Sequence, residues 1–251
     1  MSRLRWLTNA AFELETGGTR ITIDPCVRGM CCTTFDEKSY KEPDYVIVSH
    51  LHWDHIADLR YLYDTYSPVI ISGNLGRESL IDYLDANHAD IYPAVVNIEL
   101  DFGPFKVKPL YAIHRNLKKK LNEPFTPEYL EKLKRLDPEM HSVQKMGTLE
   151  MMNYLLTLAD GMTILIWGGE FGVVQENMLR DLKPDVALVQ YSPTMPEKLS
   201  GILDSIKAKK VVPYHHDISL TVNQWKPMLE EFKQSCPYEF VIMENGEEIQ
   251  L

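Results

Sequence analysis

Alternating and wholly apolar runs dominate the first part of the chain and predict a series of short strands. Alternation over Arg3–Leu7, Ala11–Glu15 and Arg20–Ile23 predicts three strands, the last two joined by a turn with two glycines. Tyr45–Val48 is apolar throughout, as expected of a strand buried on both faces, and Val69–Ser72 predicts another such strand. This part of the chain therefore reads as β-rich.

The remainder mixes strands with amphipathic stretches. The predicted strands are Val95–Leu100, Phe105–Ile113, Glu150–Leu158, Thr163–Trp167, Val186–Val189, Val211–Pro213 and a final hairpin, Glu239–Met243 with Glu248–Leu251, turning on Asn245-Gly246. The predicted helices run from Asn74, as N-cap, to about Ala86, over Pro196–Lys207 and over Thr221–Gln234. The mixture predicts an α/β protein.

One stretch, about 115–146, does not follow this alternation of predicted strands and helices. Thr126 is a good N-cap, Pro127 suits the first helical position, and apolar residues follow on one side of the predicted helix. The stretch is interpreted as a helical insertion or lid, and the whole chain, 1–251, as a single domain. An internal duplication into two β-rich halves is an alternative.

Composition narrows the function classes. The net charge of -10 over 251 residues argues against a general affinity for nucleic acid. No run approaches the roughly 20 apolar residues that span a bilayer, and the first residues lack a secretory signal. Four cysteines in a chain of this length do not suggest a disulfide framework. These features predict a cytoplasmic protein with reduced thiols.

A cluster of metal-ligand residues follows the strand at Tyr45–Val48. His50, His52, Asp54 and His55 fall within six residues, and imidazole and carboxylate groups are the usual ligands of zinc. An extended register sends His50 and His52 to the same side, while a following helix turns the other two toward a second ion. The alternative, a histidine-rich surface loop, is disfavoured because the preceding strand is purely apolar.

The run His50-x-His52-x-Asp54-His55 resembles the signature of the metallo-β-lactamase superfamily. The resemblance extends to Trp6-Leu7 and Ile23-Asp24-Pro25, which look like the first hairpin of its ascorbate-6-phosphate lactonase-like and N-acylphosphatidylethanolamine phospholipase D-like branches. Three later segments match in the right order, namely Ile113-His114, Gly168-Gly169-Glu170 and Pro213-Tyr214-His215-His216-Asp217. The resemblance implies the four-layer αβ/βα sandwich of that superfamily.

It also implies roles for individual residues. By position, the first metal would be bound by His50, His52 and His114, and the second by Asp54, His55 and His215. Glu170 would bridge the two ions, and Asp24 would orient a ligand histidine from behind. The implied cofactors are two divalent ions, zinc in the first instance, with manganese or iron as alternatives.

Several positions depart from the family pattern. Glu170 stands where relatives have Asp, so it either bridges, binds one ion or points away. His215 is favoured as the ligand over His216, which either faces the substrate or packs. Thr8-Asn9 replaces Gly-His, a change expected to alter the surroundings of the metals. Cys26, Cys31 and Cys32 follow the Asp24-Pro25 turn and are interpreted as idle thiols, with an extra zinc site as the alternative.

The predicted reaction is hydrolysis of a small ester, lactone or phosphodiester by metal-activated hydroxide. Asp54 would orient the water, and His216 would assist at the substrate. An anionic substrate is one interpretation of the basic residues in the insertion (Arg115, Lys118, Lys119, Lys120, Lys132, Lys134, Arg135 and Lys145), although a solvated amphipathic helix explains them better. A nucleic-acid phosphodiesterase and a non-catalytic metal-binding protein are the alternative functions. The sequence does not decide the oligomeric state, and a homo-oligomer is one possibility.

Overall fold

The apolar and alternating runs form two seven-stranded sheets in the computed structural model of the protein. The structure describes residues 2–30, 33–114, 122, 124–180, 182–191, 196–218 and 221–251. The strands are β1 (Arg3–Thr8), β2 (Ala11–Thr16), β3 (Thr19–Ile23), β4 (Tyr45–Ile47), β5 (Val69–Gly73), β6 (Ile91–Ala94), β7 (Leu100–Asp101), β8 (Phe105–Ala112), β9 (Met151–Leu158), β10 (Thr163–Trp167), β11 (Val186–Gln190), β12 (Lys210–Tyr214), β13 (Glu239–Phe240) and β14 (Glu248–Gln250).

Both sheets follow the same plan. The first has the order β14-β1-β2-β3-β4-β5-β6 and the second β13-β12-β11-β10-β9-β8-β7. In each, antiparallel pairs at one end give way to parallel pairs at the other. Parallel strands are covered on both faces, which explains the unbroken apolar runs at β4 and β11.

Helices accompany the sheets. They are α1 (Trp53–Ile56), α2 (Leu59–Tyr66), α3 (Arg77–Leu84), α4 (Pro127–Leu136), α5 (Gln144–Leu149), α6 (Val173–Leu179), α7 (Pro196–Ile206) and α8 (Val222–Ser235), with 3₁₀ turns at Glu37–Ser39 and Met140–Ser142. Two mixed sheets with flanking helices confirm the predicted α/β sandwich. Among the residues that the structure describes, no helix combines the length and apolar content needed to cross a membrane.

The helical insertion is confirmed in the part that is described. Thr126 caps α4 by accepting a hydrogen bond from the Tyr129 N–H at 3.2 Å, and Pro127 occupies the first turn. The helix ends at Leu136, and the chain returns to the second sheet through α5. Residues 115–121 and 123 of the predicted insertion lie outside the described residues.

Two strand predictions are wrong. No strand forms over residues 95–99: β6 ends at Ala94 beside β5, and Val95 is exposed, at 44%. Leu100 belongs to the short strand β7, which pairs with β8. The predicted terminal hairpin does not form, because β13 pairs with β12 in the second sheet and β14 pairs with β1 in the first. The Asn245-Gly246 turn therefore carries the chain from one sheet to the other.

One helix prediction also needs correction, and one helix was missed. Helix α3 begins at Arg77 with Gly76 as N-cap, rather than being capped by Asn74, because the Glu150 carboxylate accepts the Gly76 N–H at 3.0 Å. Helix α6 was not predicted. Its two leading valines are exposed, at 73% and 58%, so the stretch lacks the apolar face that marks a helix in sequence.

Helix α5 lies so close to the chain at Leu51-His52 that a side chain is excluded at Gly147. A Cβ built there would be 2.5 Å from the Leu51 carbonyl carbon and 2.7 Å from the His52 nitrogen. Backbone atoms cannot rotate away as a flexible side chain can. The insertion is therefore docked directly on the segment that carries the histidine cluster.

We expect Gly147→Ala to destabilise the protein by about 1–3 kcal/mol, the usual cost of overpacking. Gly201→Ala is the matched control, since Gly201 is also helical but a Cβ there meets nothing nearer than Phe171 at 3.8 Å. That change should be neutral or stabilising by about 0.5–1 kcal/mol. Urea unfolding of both variants measures the difference, and equal unfolding free energies would contradict the close approach.

Candidate metal centre

The predicted ligand residues all follow the carboxyl ends of strands. His50 comes after β4 of the first sheet, while His114 and His215 come after β8 and β12 of the second. Asp54 and His55 lie on α1, which begins immediately after His52. Residues from distant parts of the chain thus meet where the ends of the two sheets face each other.

Three histidines form a first group. One ring nitrogen each of His50, His52 and His114 lies within 4.8 Å of the others. Their ring centroids are 4.7 Å (50 to 52), 5.2 Å (50 to 114) and 4.5 Å (52 to 114) apart. His50 and His52 are buried and His114 is half-buried, so the group opens to solvent on the side of His114.

A second group has the same spacing: one donor atom each of Asp54, His55 and His215 lies within 4.8 Å of the others. The Asp54 carboxylate lies 3.2 Å from the His215 Nε2 and 3.7 Å from the His55 Nε2. The rings of His50 and His55 are only 4.0 Å apart, so the two groups adjoin. Two neighbouring sets of three donors match what a pair of divalent ions requires.

Burial and neighbouring charges shift the pKa values of two of these donors, His50 and Asp54. Burial, together with the neighbouring rings of His55 and His52, holds the pKa of His50 well below its usual value. Burial alone would raise the pKa of Asp54, but His55 and His215 lower it well below the ordinary range. Neutral imidazole and ionised carboxylate are the ligating forms, so the donor chemistry fits a divalent metal.

Asp24 supports the second group from behind. Its carboxylate accepts hydrogen bonds from the Ser49 N–H at 2.6 Å, the Ser49 hydroxyl at 2.7 Å and the His55 Nδ1 at 2.8 Å. Asp24 is fully buried and has a positive φ of 44°, a conformation that short polar side chains tolerate. With Nδ1 held in this way, His55 presents Nε2 to the centre, and the role of Asp24 in orienting a metal ligand stays a prediction.

Asn9 and Asp217 join the two sides of the centre. The Asn9 Nδ2 donates to the Asp54 carbonyl at 2.6 Å, and the His215 N–H donates to the Asn9 carbonyl at 3.1 Å. Asp217 in turn accepts from the Asn9 N–H at 2.9 Å and the Thr8 hydroxyl at 2.6 Å. The sequence flagged Thr8-Asn9 only as a departure. Its connecting role was missed, because the partners are far apart along the chain.

Glu170 belongs to neither group of three. It is half-buried at the end of a loop in which the Gly168 N–H donates to Asn153 at 2.8 Å and the Gly169 N–H to Gln190 at 2.9 Å. Its own N–H donates to the Ile113 carbonyl at 2.8 Å, beside His114. The backbone of Glu170 therefore lies next to the first group of histidines. The predicted role of its side chain as a bridge between two ions stays a prediction.

The two adjacent histidines have different environments. His215 is a member of the second group, whereas His216 is 2% exposed and packs between Trp6 and Trp225, with ring centroids at 5.1 Å and 4.2 Å. Burial lowers the pKa of His216 to about 4, although Asp217 opposes the shift. The ring of His216 thus packs among aromatic side chains, and its catalytic role stays a prediction.

The thiols and the basic residues contribute little to the described centre. Cys26 is fully buried and belongs to neither group of donors. Burial raises the pKa of its thiol well above the usual value. On α4, the Lys132 ammonium lies 3.4 Å from the centroid of the Trp53 ring and Lys134 pairs with Glu131 at 3.1 Å. Two other cysteines that follow the Asp24-Pro25 turn lie outside the described residues, namely Cys31 and Cys32. The same holds for four basic residues of the insertion: Arg115, Lys118, Lys119 and Lys120.

Comparisons with known proteins agree with this geometry. Two family models match, a beta-lactamase superfamily domain over residues 3–62 and the metallo-beta-lactamase superfamily over residues 37–119. These matches together span residues 3–119, so this part of the chain is similar to proteins of the metallo-β-lactamase superfamily. A protein of Pyrococcus furiosus named a metal-dependent hydrolase is 26% identical over 261 residues, and the match covers 100% of both chains.

Solved structures show the same fold. Igni18, a metallo hydrolase from the archaeon Ignicoccus hospitalis, has a TM-score of 0.72 and 17% identity, covering 99% of this chain and 98% of that one. The diiron β-hydroxylase CmlA from Streptomyces venezuelae has a TM-score of 0.65 and 10% identity, covering 100% of this chain but 54% of that one. At these identities the likeness concerns the fold alone.

The environments of His215 and His216 predict different responses to substitution. We expect His215→Ala to lose one of two bound metal equivalents, because it removes a donor from the second group. His216→Phe should keep both equivalents and the stability of the unmodified protein, since neither ring nitrogen of His216 has a hydrogen-bond partner among the described residues. Metal analysis and thermal unfolding of both variants test this. Loss of metal from His216→Phe alone would reverse the assignment.

Proposed function

We propose that this protein is a metal-dependent hydrolase of small esters, lactones or phosphodiesters. One ion would be held by His50, His52 and His114 and the other by Asp54, His55 and His215. The observation that carries the proposal is the presence of two adjoining groups of three donors, each within 4.8 Å. The naming of end-to-end relatives as metal-dependent hydrolases supports it.

The donor set indicates the metal and its contribution. Five imidazoles and one carboxylate suit zinc, while manganese and iron are alternatives with the same ligand types. Divalent ions bound in these groups would lower the pKa of a bound water to about 7 and polarise the substrate oxygen that takes up negative charge. The fold of a diiron hydroxylase among the structural neighbours keeps iron among the candidates to be tested.

Asp54 is proposed to orient the attacking water rather than to store its proton. Its carboxylate is kept ionised by His55 and His215, which hold its pKa well below the usual range, and added cations would lower that pKa further. A carboxylate with a strongly lowered pKa is a weak base but a good hydrogen-bond acceptor. The position of Asp54 between two histidine rings restricts the direction in which it accepts.

The class of substrate is proposed from the electrostatics around the centre. Tyr129 of α4 lies close enough to Asp54 for that carboxylate to add to the effect of burial in raising the pKa of the phenol. Helix α4 therefore borders the centre, and it carries lysines in an otherwise acidic protein. These lysines support a small anionic substrate, whereas the net charge of -10 weighs against a nuclease.

We expect the protein loaded with two equivalents of zinc to hydrolyse a member of a panel of p-nitrophenyl esters, lactones and bis-p-nitrophenyl phosphate. His114→Ala should lose one equivalent and lower kcat/KM by about 100-fold or more, since a Lewis acid supplies several kcal/mol. His88→Ala is the matched control, because His88 is an exposed histidine, 70% accessible, outside both groups. Two tightly bound equivalents without turnover of any compound would favour a non-catalytic metal-binding protein.

Glu170 is tested separately. If it is a ligand, Glu170→Ala should bind fewer than two equivalents of zinc or bind the second more weakly. Glu176→Ala, which removes an exposed carboxylate paired with Arg180, is the control and should keep both. Full occupancy of both sites in Glu170→Ala would remove Glu170 from the ligand set.

A further inference from the structure

Helix α5 of the insertion contacts the histidine cluster through a buried glutamine. Gln144 is fully buried, its Oε1 accepts the Trp53 N–H at 3.0 Å, and its Nε2 donates to the Leu51 carbonyl at 3.1 Å. These two bonds hold the backbone on either side of His52. A single side chain thus fixes the turn from which His52 projects.

A threonine one helical turn later contacts the His52 ring itself. Thr148 is 4% exposed, and its Oγ1 lies 2.9 Å from the His52 Nε2. The Thr148 hydroxyl donates its proton to the Gln144 carbonyl at 3.5 Å. If the hydroxyl gives its one proton to that carbonyl, its oxygen accepts from His52, and the Nε2 of His52 then carries the ring proton.

The position of that proton decides which nitrogen is available to a metal. In neutral imidazole one nitrogen is protonated and the other has a free lone pair. With Nε2 protonated and directed to Thr148, the lone pair is on Nδ1. The excluded side chain at Gly147 lets α5 approach closely enough for both Gln144 and Thr148 to reach the cluster.

We infer that Gln144 and Thr148 are positioning residues of the metal centre, and that the insertion clamps His52 instead of serving only as a cover. Gln144 sets the backbone and Thr148 sets the rotation and tautomer of the ring. Ligand histidines are commonly held through their second nitrogen, and loss of such a partner typically weakens metal binding about 10- to 100-fold. The inference rests on the metal site proposed above.

Substitutions at Thr148 separate positioning from packing. Thr148→Val keeps the shape but removes the hydroxyl, whereas Thr148→Ser keeps the hydroxyl. The probe is Zn²⁺ added to the metal-free full chain in competition with a chromophoric chelator. We expect Thr148→Val to weaken zinc binding at one site by about 10-fold or more, and Thr148→Ser to bind as the unmodified protein does.

The control is Thr16→Val, which removes another buried hydroxyl. Thr16 is 1% exposed and accepts a hydrogen bond from the Ser2 hydroxyl at 3.0 Å, at the end of β2 away from the centre. Its zinc affinity should be unchanged. Equal losses in Thr148→Val and Thr16→Val, or equal losses in Thr148→Val and Thr148→Ser, would overturn the inference.

A double substitution tests whether Thr148 acts through His52. In a His52→Ala background, adding Thr148→Val should not weaken zinc binding further, because the ring that Thr148 orients is absent. A further loss as large as that caused by Thr148→Val alone would show that the hydroxyl acts by another route.

One measurement does not depend on any Thr148 variant folding, or on the proposed activity. Nitrogen-15 NMR of the unmodified, metal-free protein identifies the protonated ring nitrogen of His52, whose signals are assigned by their absence in His52→Ala. We expect the proton on Nε2, and a proton on Nδ1 would overturn the inference. If zinc binds but no substrate is hydrolysed, the proposed function fails while this result still decides the role of Thr148.

Discussion

The crowding of buried imidazole rings around one carboxylate is the constraint on which the rest of this structure depends. The His50 ring lies within 5.2 Å, centroid to centroid, of three other histidine rings. Burial and the neighbouring histidine rings both lower the pKa of His50, so its protonation is disfavoured. Unpaired polar groups in such a place are costly, so each ring needs a defined partner for the nitrogen that does not face the centre.

The partners come from different parts of the fold. His55 is held by Asp24 at the end of β3, and His52 by Thr148 on α5. Asn9, at the end of β1, connects the backbones of Asp54 and His215. These supports belong to the first sheet and the insertion, whereas His114 and His215 follow strands of the second sheet, so the centre can form only when the two sheets have come together. Its geometry is therefore a property of the complete fold rather than of the histidine run.

This distribution explains how much could be predicted from the sequence. The cluster from His50 to His55 was recognisable because its members are neighbours along the chain and follow a strand of unmistakable pattern. His114 and His215 depended on the family resemblance, and the structure brings a ring nitrogen of each within 4.8 Å of the other donors in its group. Thr148 is 96 residues from His52, and nothing in the local pattern around a threonine indicates such a contact.

The errors in secondary structure have the same origin. The terminal Asn245-Gly246 turn has the local features of a hairpin, yet its flanking strands pair in different sheets. Strand pairing is decided by burial against distant partners, and a turn motif describes only the direction change. Most strands were nevertheless located within one or two residues, because apolar periodicity reports burial directly.

The same reasoning limits what Glu170 can do. Its side chain is one methylene longer than the expected aspartate, so either the backbone must retreat or the side chain must fold back. The backbone cannot retreat easily, since Gly168, Gly169 and Glu170 each donate an N–H bond to a fixed acceptor. Gly169 also has a φ of 88° and no space for a Cβ, which would lie 2.5 Å from the Ile113 carbonyl oxygen. Any contact of Glu170 with a metal must therefore be reached through its side-chain torsions, at a cost in rotamer freedom that a shorter carboxylate would not incur.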